Sequence, residues 1–182
     1  IIIGQNSSFS INILGTIQDG GSPHIGCNKK CCKLLSQEEK NKRLVSSLGL
    51  VDLENDKFFL FDATPDIEKQ IRLLNNNFKK ELKLEGIFLT HAHIGHYSGL
   101  MYLGKEALGA KKVNVFAMQR MSNFLINNGP WSQLVNDQNI LINKMTENQD
   151  IILNKNISVL PIKVPHRDEF SETVGFFIKG IN

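Results

Sequence analysis

Long apolar runs are missing from this 182-residue chain. Without the about 18 consecutive apolar residues that a spanning helix needs, no membrane span is expected; a mean hydropathy of −0.16 agrees. Cysteine is scarce: Cys27, Cys31 and Cys32 are the whole complement. An odd set crowded into one loop is a poor disulfide framework, which leaves reduced thiols or metal ligands. A one-sided charge balance is also absent. The 21 basic residues against 18 acidic ones give a net charge of +3. They form no block dense enough to follow a phosphate backbone, so nucleic acid is not implied. Asn28-Lys29-Lys30 and Lys79-Lys80 read as solvated surface. No internal repeat, low-complexity tract or linker divides the chain, and 41% hydrophobic residues suffice for one core, so residues 1–182 are expected to form a single domain. The opening Ile1-Ile2-Ile3-Gly4-Gln5 is open to two readings: the trailing edge of a removed signal-peptide core, or a first strand or boundary. Nothing in the composition decides between a cytoplasmic and a periplasmic location, and the oligomeric state is not legible.

What is present is a series of short elements. Phe9 to Leu14 alternates apolar and polar residues and predicts a first strand. Gly15 to Pro23 breaks that period, and a long loop carrying the cysteines is expected to follow. Arg43 to Val51 and Phe58 to Phe61 read as strands of a hairpin turning at Glu54-Asn55-Asp56. Ile67, Ile71, Leu74 and Phe78 recur at helical spacing, predicting a surface helix over Asp66 to Leu82. Gly86 to Thr90 is a strand that stops at a histidine cluster, a helix over Ser98 to Leu108 is expected to end at Gly109, and Val113 to Ala117 is again a strand. A helix over Arg120 to Asn127 precedes strands at Asn139 to Ile142, Ile151 to Leu153, Ile157 to Val164 and Thr173 to Ile178. Met118, Met121 and Phe124 read as core, and Trp131 as core or the wall of a pocket. Strands interleaved with helices, then strands in series, predict a mixed α/β sandwich with helices outside.

The chemistry concentrates in Thr90-His91-Ala92-His93-Ile94-Gly95-His96, where three of the five histidines follow an apolar strand directly. On an extended backbone His91 and His93 point the same way, and Gly95 allows His96 to swing back. Imidazole is a good ligand for zinc, and a catalytic zinc needs three protein ligands with one position left for water. The loop Cys27, Cys31, Cys32 offers three soft ligands for a structural metal, with His24 as a conceivable fourth; free thiols or redox chemistry are the competing reading. Among the loop carboxylates Asp19, Asp168 and Glu169, Asp19 ranks first for proton transfer or substrate contact, because its neighbouring glycines suit a backbone brought close to a ligand.

This histidine cluster, the preceding Phe59-Leu60-Phe61-Asp62, and Pro165-His166-Arg167-Asp168-Glu169 resemble the metallo-β-lactamase superfamily. With Gly15-Thr16-Ile17-Gln18-Asp19-Gly20-Gly21 they are similar to its branch containing the pyrroloquinoline-quinone biosynthesis protein B family. The resemblance implies an αββα sandwich, with His91, His93 and His166 on one zinc ion, His96 directed to a second, and Asp62 bracing the metal loop. It implies a zinc-dependent hydrolase whose metal-bound hydroxide attacks a small-molecule ester, amide or phosphodiester. The alternative it also carries is a non-catalytic metal-binding accessory, or an oxidase-like protein, in cofactor biosynthesis. Two departures follow from the comparison with that pattern. Gly95 stands where the superfamily usually has an aspartate, which weakens the case for a second zinc. The superfamily's bridging aspartate and final histidine have no counterpart up to Asn182, so the domain is expected to be C-terminally incomplete.

Overall fold

A computed structural model describes residues 8–180, so the expectations for Ile1 to Gln5 lie outside the described residues. β1 (Phe9–Gly15), β2 (Ser47–Asp52), β3 (Lys57–Phe61), β4 (Lys83–Phe88), β5 (Val113–Ala117) and β6 (Ile140–Lys144) form a six-stranded sheet in sequential order. The β1/β2 and β2/β3 pairs are antiparallel, and the pairs from β3 through β6 are parallel. β7 (Ile151–Asn154), β8 (Ile157–Lys163) and β9 (Val174–Gly180) form a second, antiparallel sheet.

Strand alternation explains why the two sheets stack. Along β3, Phe58 and Leu60 pack with the helices, whereas Phe59 and Phe61 enter the layer between the sheets. A strand buried on both faces needs this continuous apolar run. Each parallel strand pair requires a crossover, and sequential crossovers in one direction lay their helices on one face of the sheet. α3 (Ile67–Phe78), α5 (Gln119–Asn127) and α6 (Trp131–Asn136) are those crossover helices, and Leu74, Leu125 and Leu134 join the cluster on that face. Between the sheets, Phe61, Phe88 and Phe116 form a cross-strand ladder with stacked centroids 5.0 and 4.4 Å apart. Phe176 of β9 meets its Phe88 rung edge-on at 5.6 Å. These aromatics close the C-terminal ends of β3, β4 and β5, where parallel sheets commonly place their binding loops.

Several boundaries differ from the sequence expectations. The helix expected to reach Leu82 stops at Phe78, because Lys79 takes a left-handed conformation (φ 53°) and the Asn75 side chain accepts from the Leu82 amide at 3.0 Å. The strand expected from Arg43 begins only at Ser47. The expected cysteine loop contains α1 (Lys30–Lys33) and α2 (Gln37–Asn41), the latter started by a Ser36/Glu39 capping box. α6 has no counterpart in the sequence reading. Instead of one α-helix over Ser98 to Leu108 there are a single turn, α4 (Ile94–Tyr97), and a 3-10 segment (Ser98–Leu103). Gly99 lies so close to the β3 exit that a β-carbon would stand 2.2 Å from the Thr64 carbonyl oxygen. Its amide donates to Ala63 O at 2.9 Å, so the α-helical ladder is broken there and the turn tightens. Met121 and Trp131 are core residues.

Asp52, at the β2/β3 turn, is buried and accepts from the amides of Glu54 and Asn55 and from the side chains of Asn55 and Asn154, at 2.7–3.1 Å. Burial alone would raise its pKa, but these donors outweigh it and hold the carboxyl below its ordinary 3.8. Its contribution is therefore fully present above 3.8 and lost as pH falls through the lower folded value. Asp52→Ala is expected to cost about 1–3 kcal/mol at neutral pH. In denaturation measured at a series of pH values, the gap to the unsubstituted protein should narrow below about pH 4.

Candidate metal centre

Asp62 follows β3 directly and holds a left-handed backbone (φ 70°) that a non-glycine residue adopts at a cost. That conformation turns its buried carboxylate toward the loop that leaves β4. Asp62 Oδ1 accepts from the Thr90 amide at 2.8 Å, and both carboxylate oxygens lie within 3.0 Å of Thr90 Oγ1. Asp62 Oδ2 accepts from His96 Nδ1 at 2.6 Å. One side chain thus joins the ends of two neighbouring parallel strands.

These contacts select the imidazole tautomers. Thr90 Oγ1 gives its single proton to Asp62 and can accept from His91 Nδ1, 2.8 Å away, so His91 keeps its lone pair on Nε2. His93 donates Nε2–H to Glu169 Oε2 at 3.2 Å and keeps its lone pair on Nδ1. His91 Nε2 and His166 Nε2 then lie 2.9 and 3.2 Å from His93 Nδ1. Donors on one tetrahedral zinc, with bonds of about 2.0 Å, stand roughly 3.3 Å apart. The three histidines therefore form a donor set that could hold a metal ion. Burial first, and then the neighbouring imidazoles, push His91 down to about 4, so it is neutral at physiological pH as a ligand must be.

His166 is exposed and belongs to the loop between β8 and β9, which several contacts hold against the histidine loop. Ala92 donates its amide to Ser171 Oγ at 2.7 Å, and Val174 donates to Thr90 O at 3.0 Å. Arg120 of α5 donates to the carbonyls of Asp168 and Glu169 and pairs with the Asp168 carboxylate. Arg120 and Ser171 were not picked out by sequence reading, since neither lies in a recognisable motif. Thr90 adjoins the cluster in sequence, and only its contacts reveal what it does. Of the two carboxylates weighed beside His166, Glu169 meets His93, whereas Asp168 is committed to Arg120.

His96 stands beside the three-histidine set, with its ring centroid 4.1 Å from that of His91. Its Nε2 faces Asp19 Oδ1 at 3.1 Å. Burial would lower the His96 pKa, but the hydrogen bond and charge of Asp62, reinforced by Asp19, raise it above 6.5. In the cysteine loop, the sulfurs of Cys27, Cys31 and Cys32 lie close enough to share one ion. The hydrogen bond from Cys32 lowers the Cys27 pKa, while Cys32 itself is pushed up to about 11, first by that same pairing and then by burial. His24 does not join the sulfurs: its Nδ1 meets Ile25 O at 3.3 Å and its ring lies against Gly20.

Two packed sheets with helices on the outer face, and histidines gathered at the strand ends, define the class as the metallo-β-lactamase fold. The chain belongs to the β-lactamase superfamily domain family, whose pattern matches residues 57–182. It is 26% identical over 108 residues to coenzyme PQQ synthesis protein B of Rhizobium meliloti (strain 1021), covering 57% of this chain and 36% of that protein. The chain thus spans about a third of that relative's length. Zinc-bound PqqB from Methylobacterium extorquens superimposes with a TM-score of 0.73 at 22% identity, covering 93% of this chain and 61% of that one. A diphosphatase of the PhnP family gives 0.67 at 24% identity, with the same coverages. Among the described residues no helix is long and apolar enough to cross a membrane.

Asp62→Asn preserves size and tolerates the left-handed backbone but removes the charge that fixes Thr90 and His96. Zinc affinity, measured by competition with a chelating dye, is expected to fall about 10–100-fold.

Proposed function

We propose that the chain carries a zinc-dependent hydrolase centre in which His91, His93 and His166 hold the ion. The observation that carries this reading is the convergence of His91 Nε2, His93 Nδ1 and His166 Nε2, with two of the three rings tautomerically set by Thr90 and Glu169. Three protein donors leave a coordination position for water, and a zinc ion there lowers the pKa of bound water toward about 7 and polarises a substrate oxygen. His91, neutral through burial, does not compete by protonation near pH 7. Beside His166 a cleft of about 340 Å³ is lined by Lys163, Val164, Arg120 and Thr173, among others, a size suited to a small ligand. The substrate class is an ester, amide or phosphodiester of a small molecule; the fold shared with a diphosphatase supports a phosphoryl group over a carbonyl one.

A second reading rests on the similarity to coenzyme PQQ synthesis protein B: a metal-binding accessory or oxidase-like protein of cofactor biosynthesis. Metal content and turnover separate the two. The hydrolase reading expects zinc retained after buffer exchange and hydrolysis of bis(p-nitrophenyl) phosphate or a lactam. His166→Ala, whose side chain is exposed, should lower zinc affinity and abolish turnover while leaving the thermal midpoint nearly unchanged. Zinc bound without turnover on either substrate class would favour the accessory reading, and metal content unaffected by both His91→Ala and His166→Ala would refute the ligand assignment.

A further inference from the structure

Gly95 is the position at which the histidine motif departs from the superfamily pattern. It lies in α4 with a backbone outside the left-handed region, so nothing in its conformation demands glycine. What demands it is occupancy. A β-carbon built on Gly95 would stand 2.6 Å from Asp19 Cβ, 2.7 Å from Asp19 Cα and 2.8 Å from Asp19 Cγ. The room that a side chain at position 95 would fill is therefore taken by an aspartate arriving from the loop after β1, 76 positions earlier in the chain.

That aspartate is aimed at the histidine the motif supplies for a second ion. His96 donates Nδ1–H to Asp62, so that once the ring gives up its Nε2 proton, as a metal ligand must, the Nε2 lone pair is directed at Asp19 Oδ1, 3.1 Å away. Two electron-pair donors at that distance match the roughly 3.3 Å edge of a tetrahedral zinc site. We infer that Asp19 replaces the motif carboxylate missing at position 95, so that Asp19 and His96 provide a second, weaker zinc site beside the three-histidine one. The glycine and the aspartate form a compensating exchange: the ligand has moved from the histidine loop to the β1 loop, and the position it left is small so that the newcomer fits. This gives Asp19 a ligand's role instead of the proton-transfer role suggested by its neighbouring glycines. The inference rests on the three-histidine reading for the neighbouring ion.

The test is zinc titration against a chelating dye in a Cys27→Ser, Cys31→Ser, Cys32→Ser background, which removes the sulfurs as a competing zinc site and serves as the unsubstituted chain, with metal content counted after buffer exchange and folding checked by circular dichroism. The unsubstituted chain is expected to bind about two equivalents, one tight and one weaker. Asp19→Asn keeps the shape and a hydrogen-bonding oxygen but is a poor zinc ligand; it should lose the weaker equivalent and keep the tight one. Gly95→Asp alone should lower the melting temperature, because its β-carbon meets Asp19. Combined with Asp19→Gly, it should recover both the melting temperature and the second equivalent. An Asp19→Asn chain that binds the same number of ions as the unsubstituted one, an unsubstituted chain that binds a single ion, or an exchange that restores nothing would each overturn the inference while leaving the three-histidine site standing. Loss of the tight equivalent in the His91→Ala and His166→Ala variants belongs to the earlier reading, so the two claims fail separately.

Discussion

The carboxylate of Asp62 is the contact on which the arrangement of the centre depends. It sits at the end of one parallel strand, is held by a left-handed backbone, and ties down both Thr90 and His96 on the loop of the next strand. Through Thr90 it also determines which nitrogen of His91 carries the proton. A buried carboxylate with fewer partners would be costly, so the strained backbone and the full complement of donors belong together. The Phe61, Phe88 and Phe116 ladder underneath supplies the rigid floor, since each of these residues is near or at the last position of its strand.

The second half of the chain closes the site from the other side. The small sheet packs face to face on the large one, and its β8–β9 loop carries His166 and Glu169 to the histidine loop. An exposed loop of this kind would lose much conformational entropy on ordering. Arg120, Ser171 and the Val174 amide offset that cost with contacts at the middle and the C-terminal end of the loop. The centre is thus shared by the ends of the two sheets, and neither sheet holds all three histidines.

Much of this was legible locally. The histidine cluster stood out because the residues converge within one turn of chain after an apolar strand, and strand alternation placed most of the sheet. Asp62 and His166 entered through resemblance to a known pattern, not through periodicity. The misplaced elements have different physical reasons: a contact from outside the segment in one, and a side chain competing with the helix's own backbone in the other. Gly99 is drawn to the β3 exit and tightens Ser98–Leu103 into a 3-10 turn, and Asn75 turns back to the Leu82 amide and ends α3 early. α2 was missed although its signal, Ser36 followed three residues later by Glu39, was in plain view.

The sequence by itself determined the donor types, the two-residue spacing of His91 and His93 just after a strand, and the alternation that makes a two-sheet sandwich, because each depends on neighbours a few residues apart. Tertiary structure alone decided which nitrogen of His91 and of His93 is free, that Arg120 and Ser171 hold the distant loop, and that Asp19 occupies the space beside Gly95. Those outcomes depend on groups brought together from 28 to 79 positions apart along the chain, and a local pattern carries no information about the packing that joins them.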